Sequence, residues 1–180
     1  MYIKILQEAD AQSYQDLRLH GLRTNPDAFG STFDLEDKFT LETVIERIKP
    51  NMGKFVLGAF EDNGRLVGIV TFIRENGVKT SHKGNVFGMY VTGDMRGKGV
   101  GKNLMFELIM YSKAIVGLEQ INLTVVANND SATNLYKSLG FQIYGLERRA
   151  LKHNEKYLDE ELMVLHLAGS RFSVNLQQND

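Results

Sequence analysis

Two periodicities share this chain. Some stretches repeat apolar residues at every second position, as half-buried strands require, and others at every third or fourth, as amphipathic helices require. Tyr2 to Leu6 predicts a short strand. Asp10 is placed to cap a helix carrying Tyr14, Leu17 and Leu22, which ends before Asn25-Pro26. Thr40 caps a second helix, Leu41 to Ile48, with Leu41, Val44, Ile45 and Ile48 on one face, and Pro50-Asn51-Met52-Gly53 stops it. Phe55 to Phe60 and Leu66 to Ile73 predict a hairpin, because Asn63-Gly64 between them is a strong turn signal. Glu75 to Gly84 is polar and reads as a loop, and Asn85 to Val91 as a third strand.

Gly93 to Gly101 breaks this pattern. A helix follows with Val100, Leu104, Leu108 and Ile115 near helical spacing, closed by Gly117. Gln120 to Val126 is a β-branched strand, and Asn128-Asn129-Asp130-Ser131 offers caps for a helix from Ala132 to Leu139 with Gly140 after its last turn. Gln142 to Arg149 and Lys156 to Leu167 predict two last strands, joined near His153-Asn154. The order β-α-α-β-β-β-α-β-α-β-β implies an α/β (α+β) domain over residues 1–167. Its centre is a mixed, mostly antiparallel sheet of 6–7 strands, flanked on both faces by about 4 helices, because each β-α-β crossover is right-handed. Residues 168–180 form a polar tail.

Length and composition narrow the classes. The chain has 180 residues, one domain's worth. It carries 21 Lys+Arg against 22 Asp+Glu, a formal net charge of -1, which argues against broad binding to nucleic acid. It contains no cysteine, so disulfides, thiolate nucleophiles and Cys-ligated metals are excluded. The four histidines, at 20, 82, 153 and 166, show no metal-ligand spacing. No stretch reaches the roughly 18 apolar residues that span a bilayer, and the first residues lack the apolar core of a signal peptide. The expectation is a cytoplasmic protein with no membrane or nucleic-acid partner and no metal.

The most informative stretch is Arg96-Gly97-Lys98-Gly99-Val100-Gly101-Lys102, between a strand and a helix start. Glycines let consecutive backbone N–H groups converge on one point, and a helix N-terminus adds free N–H groups and a dipole that favours anions. The physical reading is a phosphate or pyrophosphate cradle; the bland reading is a glycine turn joining strand to helix. A Walker A loop fails, because Asn103 follows Gly101-Lys102 and Arg96 stands where its first glycine belongs. A dinucleotide fingerprint fails because position 102 is lysine.

Arg96-Gly97-Lys98-Gly99-Val100-Gly101 resembles the Arg-x-x-Gly-x-Gly acyl-CoA pyrophosphate loop of the GNAT family of N-acetyltransferases. Met89-Tyr90-Val91 resembles that family's fourth strand. Asn129-Asp130-Ser131-Ala132-Thr133-Asn134-Leu135-Tyr136-Lys137-Ser138-Leu139-Gly140-Phe141 is similar to its Asn-x-x-Ala-x-x-Leu-Tyr-x-x-x-Gly-Phe signature, and the element order agrees over about residues 2–167.

The resemblance implies the acyl-CoA N-acyltransferase fold and acetyl-CoA as cosubstrate. Backbone N–H groups of Arg96, Gly97, Lys98, Gly99, Val100, Gly101 and Lys102 would hold the pyrophosphate, with Arg96 contacting it or shaping the loop. Met89, Tyr90 and Val91 would offer a strand edge to the pantetheine arm, and an N–H near Tyr90 or Val91 would polarise the thioester carbonyl. Asn129, with Ser131 beside it in the signature, would hydrogen-bond the arm. Tyr136 would be the general acid for the departing thiolate, and core packing is its bland alternative. The family's usual base, a glutamate on the fourth strand, is missing here, since Asn85 to Val91 holds no carboxylate. Glu75, His82, Glu155, Asp159 and Glu160 are substitutes, each carboxylate reading first as a solvated surface charge.

The acceptor pocket in this family lies between the first two helices and the late hairpin, here roughly His20 to Phe39 and His153 to Asp159. Asp34, Glu36 and Asp37 read there as a solvated acidic loop that could favour a cationic acceptor. The implied activity is direct transfer of an acetyl group from acetyl-CoA to a primary amine, either a small molecule or a peptide N-terminus. The alternative is a non-catalytic acyl-CoA sensor of the same fold. A homodimer is common in the family.

Overall fold

A computed structural model describes residues 1–167; the polar tail lies outside the described residues. The strands are β1 (Tyr2–Ile5), β2 (Lys54–Phe60), β3 (Leu66–Arg74), β4 (Lys83–Val91), β5 (Gln120–Val126), β6 (Gln142–His153) and β7 (Lys156–His166). The helices are α1 (Ala11–Thr24), α2 (Phe33–Glu36), α3 (Leu41–Ile48), α4 (Val100–Lys113) and α5 (Asp130–Ser138). All seven strands form one sheet in the order β1-β2-β3-β4-β5-β7-β6. Every neighbouring pair is antiparallel except β4 and β5. β7 sits between β5 and β6, so the crossover through α5 skips one strand. No helix among the described residues is long and apolar enough to cross a membrane.

The central strands are buried on both faces, and their alternation sorts side chains into two cores. Leu57, Val67, Val70 and Phe72 pack with Leu104 and Leu108 of α4, and Tyr136 of α5 joins them. Val56 and Ile69 pack on the other face with Tyr14 and Leu17 of α1 and Val44 and Ile48 of α3. Each such side chain, fully buried, contributes about 1.5–3 kcal/mol.

Several boundaries differ from the sequence reading. β4 begins at Lys83, because Lys83 to Asn85 pair with Gln120 to Asn122 of β5. α4 stops at Lys113, leaving Ile115 outside it, and α5 starts at Asp130, immediately after its cap Asn129. Asp10 does not cap α1 with its side chain; its carboxylate accepts from the Gln7 N–H at 2.9 Å and from Lys4 Nζ, closing the short turn before the helix. Glu36 is not a solvated acid. It is 1% exposed, accepts two hydrogen bonds from Arg18 and is flanked by Arg47. Burial pushes this carboxyl up, but hydrogen bonds from Arg18 and Ser31 and the charges of both arginines outweigh it and hold it at about 2. The cluster joins α1, α2 and α3.

β4 carries the irregularity that opens the site. Ile69 faces Tyr90 and Thr71 faces Phe87, so Gly88 and Met89 together oppose Val70 as a bulge. Gly88 sits at φ +59, and a Cβ there would come within 2.9 Å of Arg18 Nη1. β4 and β5 pair only as far as Asn85 and Asn122. Beyond that point the two strands diverge.

Candidate active site

The divergence leaves a cleft of about 470 Å³, lined by Val86–Val91 of β4, Leu123–Val126 of β5, the glycine loop and α5. Strand polarity decides which backbone groups face it. Thr92 donates its N–H to Val67, so Thr92 and Val67 form a hydrogen-bonded pair, and by alternation Val91 and Gly68 do not. The Val91 N–H and C=O therefore point away from β3, toward the cleft. Tyr90 is paired to Ile69, and its side chain is buried against α1 with its hydroxyl 3.1 Å from that of Thr24. Of the two positions expected to offer an N–H, the geometry selects Val91.

After Val91 the chain makes a tight turn at Gly93–Met95 and enters α4 through Gly97 at φ +74 and Gly99 at φ +81. A Cβ at either glycine would meet nothing within 4 Å, so the left-handed backbone, not crowding, demands glycine. Gly101 answers a different need: a Cβ there would lie 3.0 Å from Met89 Cε, so its absence lets α4 approach β4. Gly99 is the N-cap and supplies no side-chain acceptor, which leaves the first N–H groups of α4 free in the cleft.

The cations divide. Arg96 turns inward: Nε donates to Val91 O at 3.1 Å, Nη2 to Asn25 Oδ1 at 2.8 Å, and the guanidinium lies 5.6 Å from the Tyr90 ring. It shapes the loop. Lys102 lines the cleft, whereas Lys98 does not and lies 3.7 Å from Met95 Sδ. The other expected site residues, Met89, Tyr90, Val91, Arg96, Gly97, Gly99, Val100, Gly101, Asn129, Ser131 and Tyr136, all line it.

Asn129 caps α5, with Oδ1 accepting from the Ala132 N–H at 3.2 Å, so its amide NH₂ is the end left for a ligand. Tyr136, one helix face along, is 6% exposed and meets Phe141 edge to face at 6.0 Å. Burial pushes its phenol up to about 12, so it is protonated across neutral pH and acts as a donor. Packing and access to the cleft coexist in this one side chain.

Sequence reasoning passed over Phe87, Thr124 and Asn25, which also line the cleft, and gave Glu160 no more weight than four other candidates. The signal available for Glu160 was its place in a period-2 strand, on the face opposite the fully buried Met163. A second cavity of about 330 Å³ lies between Leu22–Asp34 and the β6–β7 hairpin, with Phe29, Phe33, Leu151 and Leu158 in its walls. Lys156 of the hairpin bonds Asp27 at 2.6 Å beside it. Among the described residues no group of three His, Cys, Asp or Glu side chains gathers as a metal would need.

A sheet splayed beside a helix N-terminus without a side-chain cap, with a strand edge leading from it, has the shape and donors to hold an extended anionic molecule. The chain matches the Acetyltransferase (GNAT) domain model over residues 3–162, and it belongs to the GNAT family of acetyltransferases. It is 25% identical over 163 residues to the L-amino acid N-acetyltransferase AaaT of Escherichia coli (strain K12), covering 89% of this chain and 96% of that one. A GNAT-family acetyltransferase of Streptococcus pneumoniae has a similar structure, with a TM-score of 0.81 at 25% identity over 92% of this chain and 98% of that chain. The GNAT superfamily phosphinothricin acetyltransferase of Sinorhizobium meliloti, solved with acetyl-CoA, shares the fold with a TM-score of 0.78 at 21% identity, over 92% and 88% of the two chains.

Proposed function

We propose that this protein transfers the acetyl group of acetyl-CoA to a primary amine by direct attack on the thioester. One observation carries the reading: β4 leaves β5 at Asn85, and the gap runs to the uncapped N-terminus of α4. The donors fit the cosubstrate. N–H groups of residues 97–102 and Lys102 meet a pyrophosphate, and the unpaired edge of β4 meets the amides of a pantetheine arm. The acetyl-CoA in the Sinorhizobium meliloti enzyme of the same fold supports this choice.

Acetyl-CoA supplies, when bound, an acyl group activated by a thiolate leaving group. The Val91 N–H stabilises negative charge on the carbonyl oxygen, because it points into the gap and no strand lies opposite it. Tyr136 donates to the departing sulfur. A phenol held up to about 12 is a weak acid, so a strong hydrogen bond forms first and the proton follows as charge develops on sulfur. The chain has no cysteine to carry an acyl group, in keeping with direct transfer. The amino-acid acceptor in the name of the Escherichia coli relative supports a primary amine on the acceptor side.

Isothermal titration with acetyl-CoA and CoA tests the binding half, and thiol release with amino acids, polyamines and alanyl peptides tests the transfer half. Saturable binding with turnover of at least one amine is expected. No binding at millimolar acetyl-CoA overturns the reading, and binding without turnover of any amine points to a sensor.

A further inference from the structure

We propose that Glu160 is the general base of the transfer, taking the proton of the acceptor ammonium from the face of the sheet opposite Tyr136. The assignment rests on the acetyl-transfer reading above.

A base is needed because a free alkyl ammonium has a pKa of about 10.4 and its nitrogen pair is closed at neutral pH. β4 cannot supply it, since Asn85 to Met89 holds no titratable side chain and Tyr90 is turned into the core under α1. Among the residues lining the cleft Glu160 is the one carboxylate. His82 does not line the cleft, and the rival carboxylates are engaged elsewhere. Asp159 accepts from Arg148 and from the Arg149 N–H, Glu155 pairs with Lys152, and Glu75 bonds Asn85 and Thr80; none of the three lines the cleft.

The faces of β7 fix where the carboxylate points. Glu161 accepts from Thr133 of α5 at 2.9 Å, and Met163 is fully buried in the core with α4 and α5. Glu160, one position before Glu161, alternates with both and projects to the other face, level with Val126 of β5 and Glu147 of β6. Tyr136 belongs to the α5 face. The two side chains thus line one cleft from its two sides. The division suits direct transfer, because the proton taken from nitrogen and the proton given to sulfur are handled at two different substituents of the tetrahedral carbon.

The surroundings suit a base. Burial raises the Glu160 carboxyl, a hydrogen bond from Thr124 works against that, and the charge of Glu147 across the strand pair adds to it. Arg96 and Lys102 line the same cleft, and the Arg96 guanidinium is committed to Val91 O and Asn25. A raised carboxyl is a stronger base and lies nearer the ammonium it must deprotonate.

The step balances. Glu160 takes one proton from the ammonium and passes it to solvent. The freed nitrogen pair forms the C–N bond, the C–S bond breaks with its pair on sulfur, and the nitrogen gives up a second proton as the amide forms. Tyr136 delivers a proton to sulfur, and the second proton from nitrogen, passed on through solvent, restores its phenol. Ammonium and thioester become amide, thiol and one released proton.

The test is Glu160→Gln in the full chain, with thiol release followed across pH using L-methionine, spermidine and an alanyl peptide. kcat/KM at neutral pH should fall at least about 100-fold, as loss of a general base does. The loss should shrink as pH rises through the acceptor's own pKa, about 8 for the alanyl peptide and about 10 for spermidine. Acetyl-CoA affinity by titration should match wild type, which separates the loss from misfolding, and Glu160→Asp should restore part of the rate. A Glu160→Gln protein with the wild-type kcat/KM and pH profile overturns the assignment while leaving acetyl transfer intact. Wild-type protein that releases no thiol with any of the amines overturns both.

Discussion

The cleft and the second cavity are built from different material. At the α4 end the ligand-facing groups are main-chain N–H donors, aimed by glycines with left-handed φ and by a helix start without a side-chain cap. Its one arginine is turned inward to hold the loop. At the second cavity the walls are side chains from distant parts of the chain. Asp27 meets Lys156 across 129 positions, and Phe29 and Leu158 share a cavity. Beside that cavity Glu36 binds Arg18 and Arg47, pinning three helices, and Arg18 lies against the Gly88 bulge that opens the cleft. A main-chain site is insensitive to most single substitutions and responds chiefly to backbone conformation. A side-chain site depends on individual charges and on pH.

The largest expected effect is at the buried ion pairs beside the second cavity. Glu36→Ala leaves Arg18 buried without its partner and should cost about 3–5 kcal/mol of stability by urea denaturation. The wild-type contribution has a defined sign with pH. The Glu36 carboxyl is held below its ordinary value, so the stabilisation is complete above about pH 4.3 and is lost as pH falls toward 2. An acid titration in which wild type and the variant lose stability in parallel would show that the cluster does not carry this load.

Next is the chemistry inside the cleft. Tyr136→Phe keeps the packing on Phe141 and removes the donor, so kcat should fall about 100-fold, or about 2.7 kcal/mol, with acetyl-CoA affinity unchanged. An unchanged kcat, in an assay where the chemical step limits the rate, assigns Tyr136 to the core alone.

The main-chain site gives a smaller effect. Gly99→Ala puts a Cβ into open space but at φ +81, so the cost is conformational, about 1–2 kcal/mol. It should appear as roughly tenfold weaker acetyl-CoA binding by titration. Lys98→Ala, whose side chain does not line the cleft, should leave that affinity nearly untouched. Equal losses from the two changes would mean that charge rather than backbone geometry holds the anion.

The smallest is the surface latch. Lys156→Ala breaks a half-exposed pair worth about 0.2–1 kcal/mol and should barely move Tm. Its readout is the acceptor KM, and the change should vanish at high salt, where the wild-type pair is itself screened.

The contrast between the two sites also explains what was legible beforehand. The glycine loop could be read because its function is a backbone conformation, and left-handed φ leaves a local mark, glycine, at fixed spacing. The cap at Asn129 and the hairpin at Asn63-Gly64 were equally local. The solvated reading of Glu36 failed because its partners lie 18 positions before and 11 after it, beyond any periodicity. The Asp10 cap failed because Lys4 and the Gln7 N–H compete for the same carboxylate.

The seven strands, the four longer helices and the glycine loop were therefore set by short-range rules of propensity, period and φ, whereas the one-turn helix α2 left no such mark. The splay at Asn85 and the choice of Val91 over Tyr90 depend on a bulge and on strand pairing. The separation of Tyr136 from Glu160 across the sheet follows from the crossover that places β7 between β5 and β6. Those are properties of register between segments far apart in the chain. A one-residue change in pairing would reverse which side chains face the cleft without altering any local pattern.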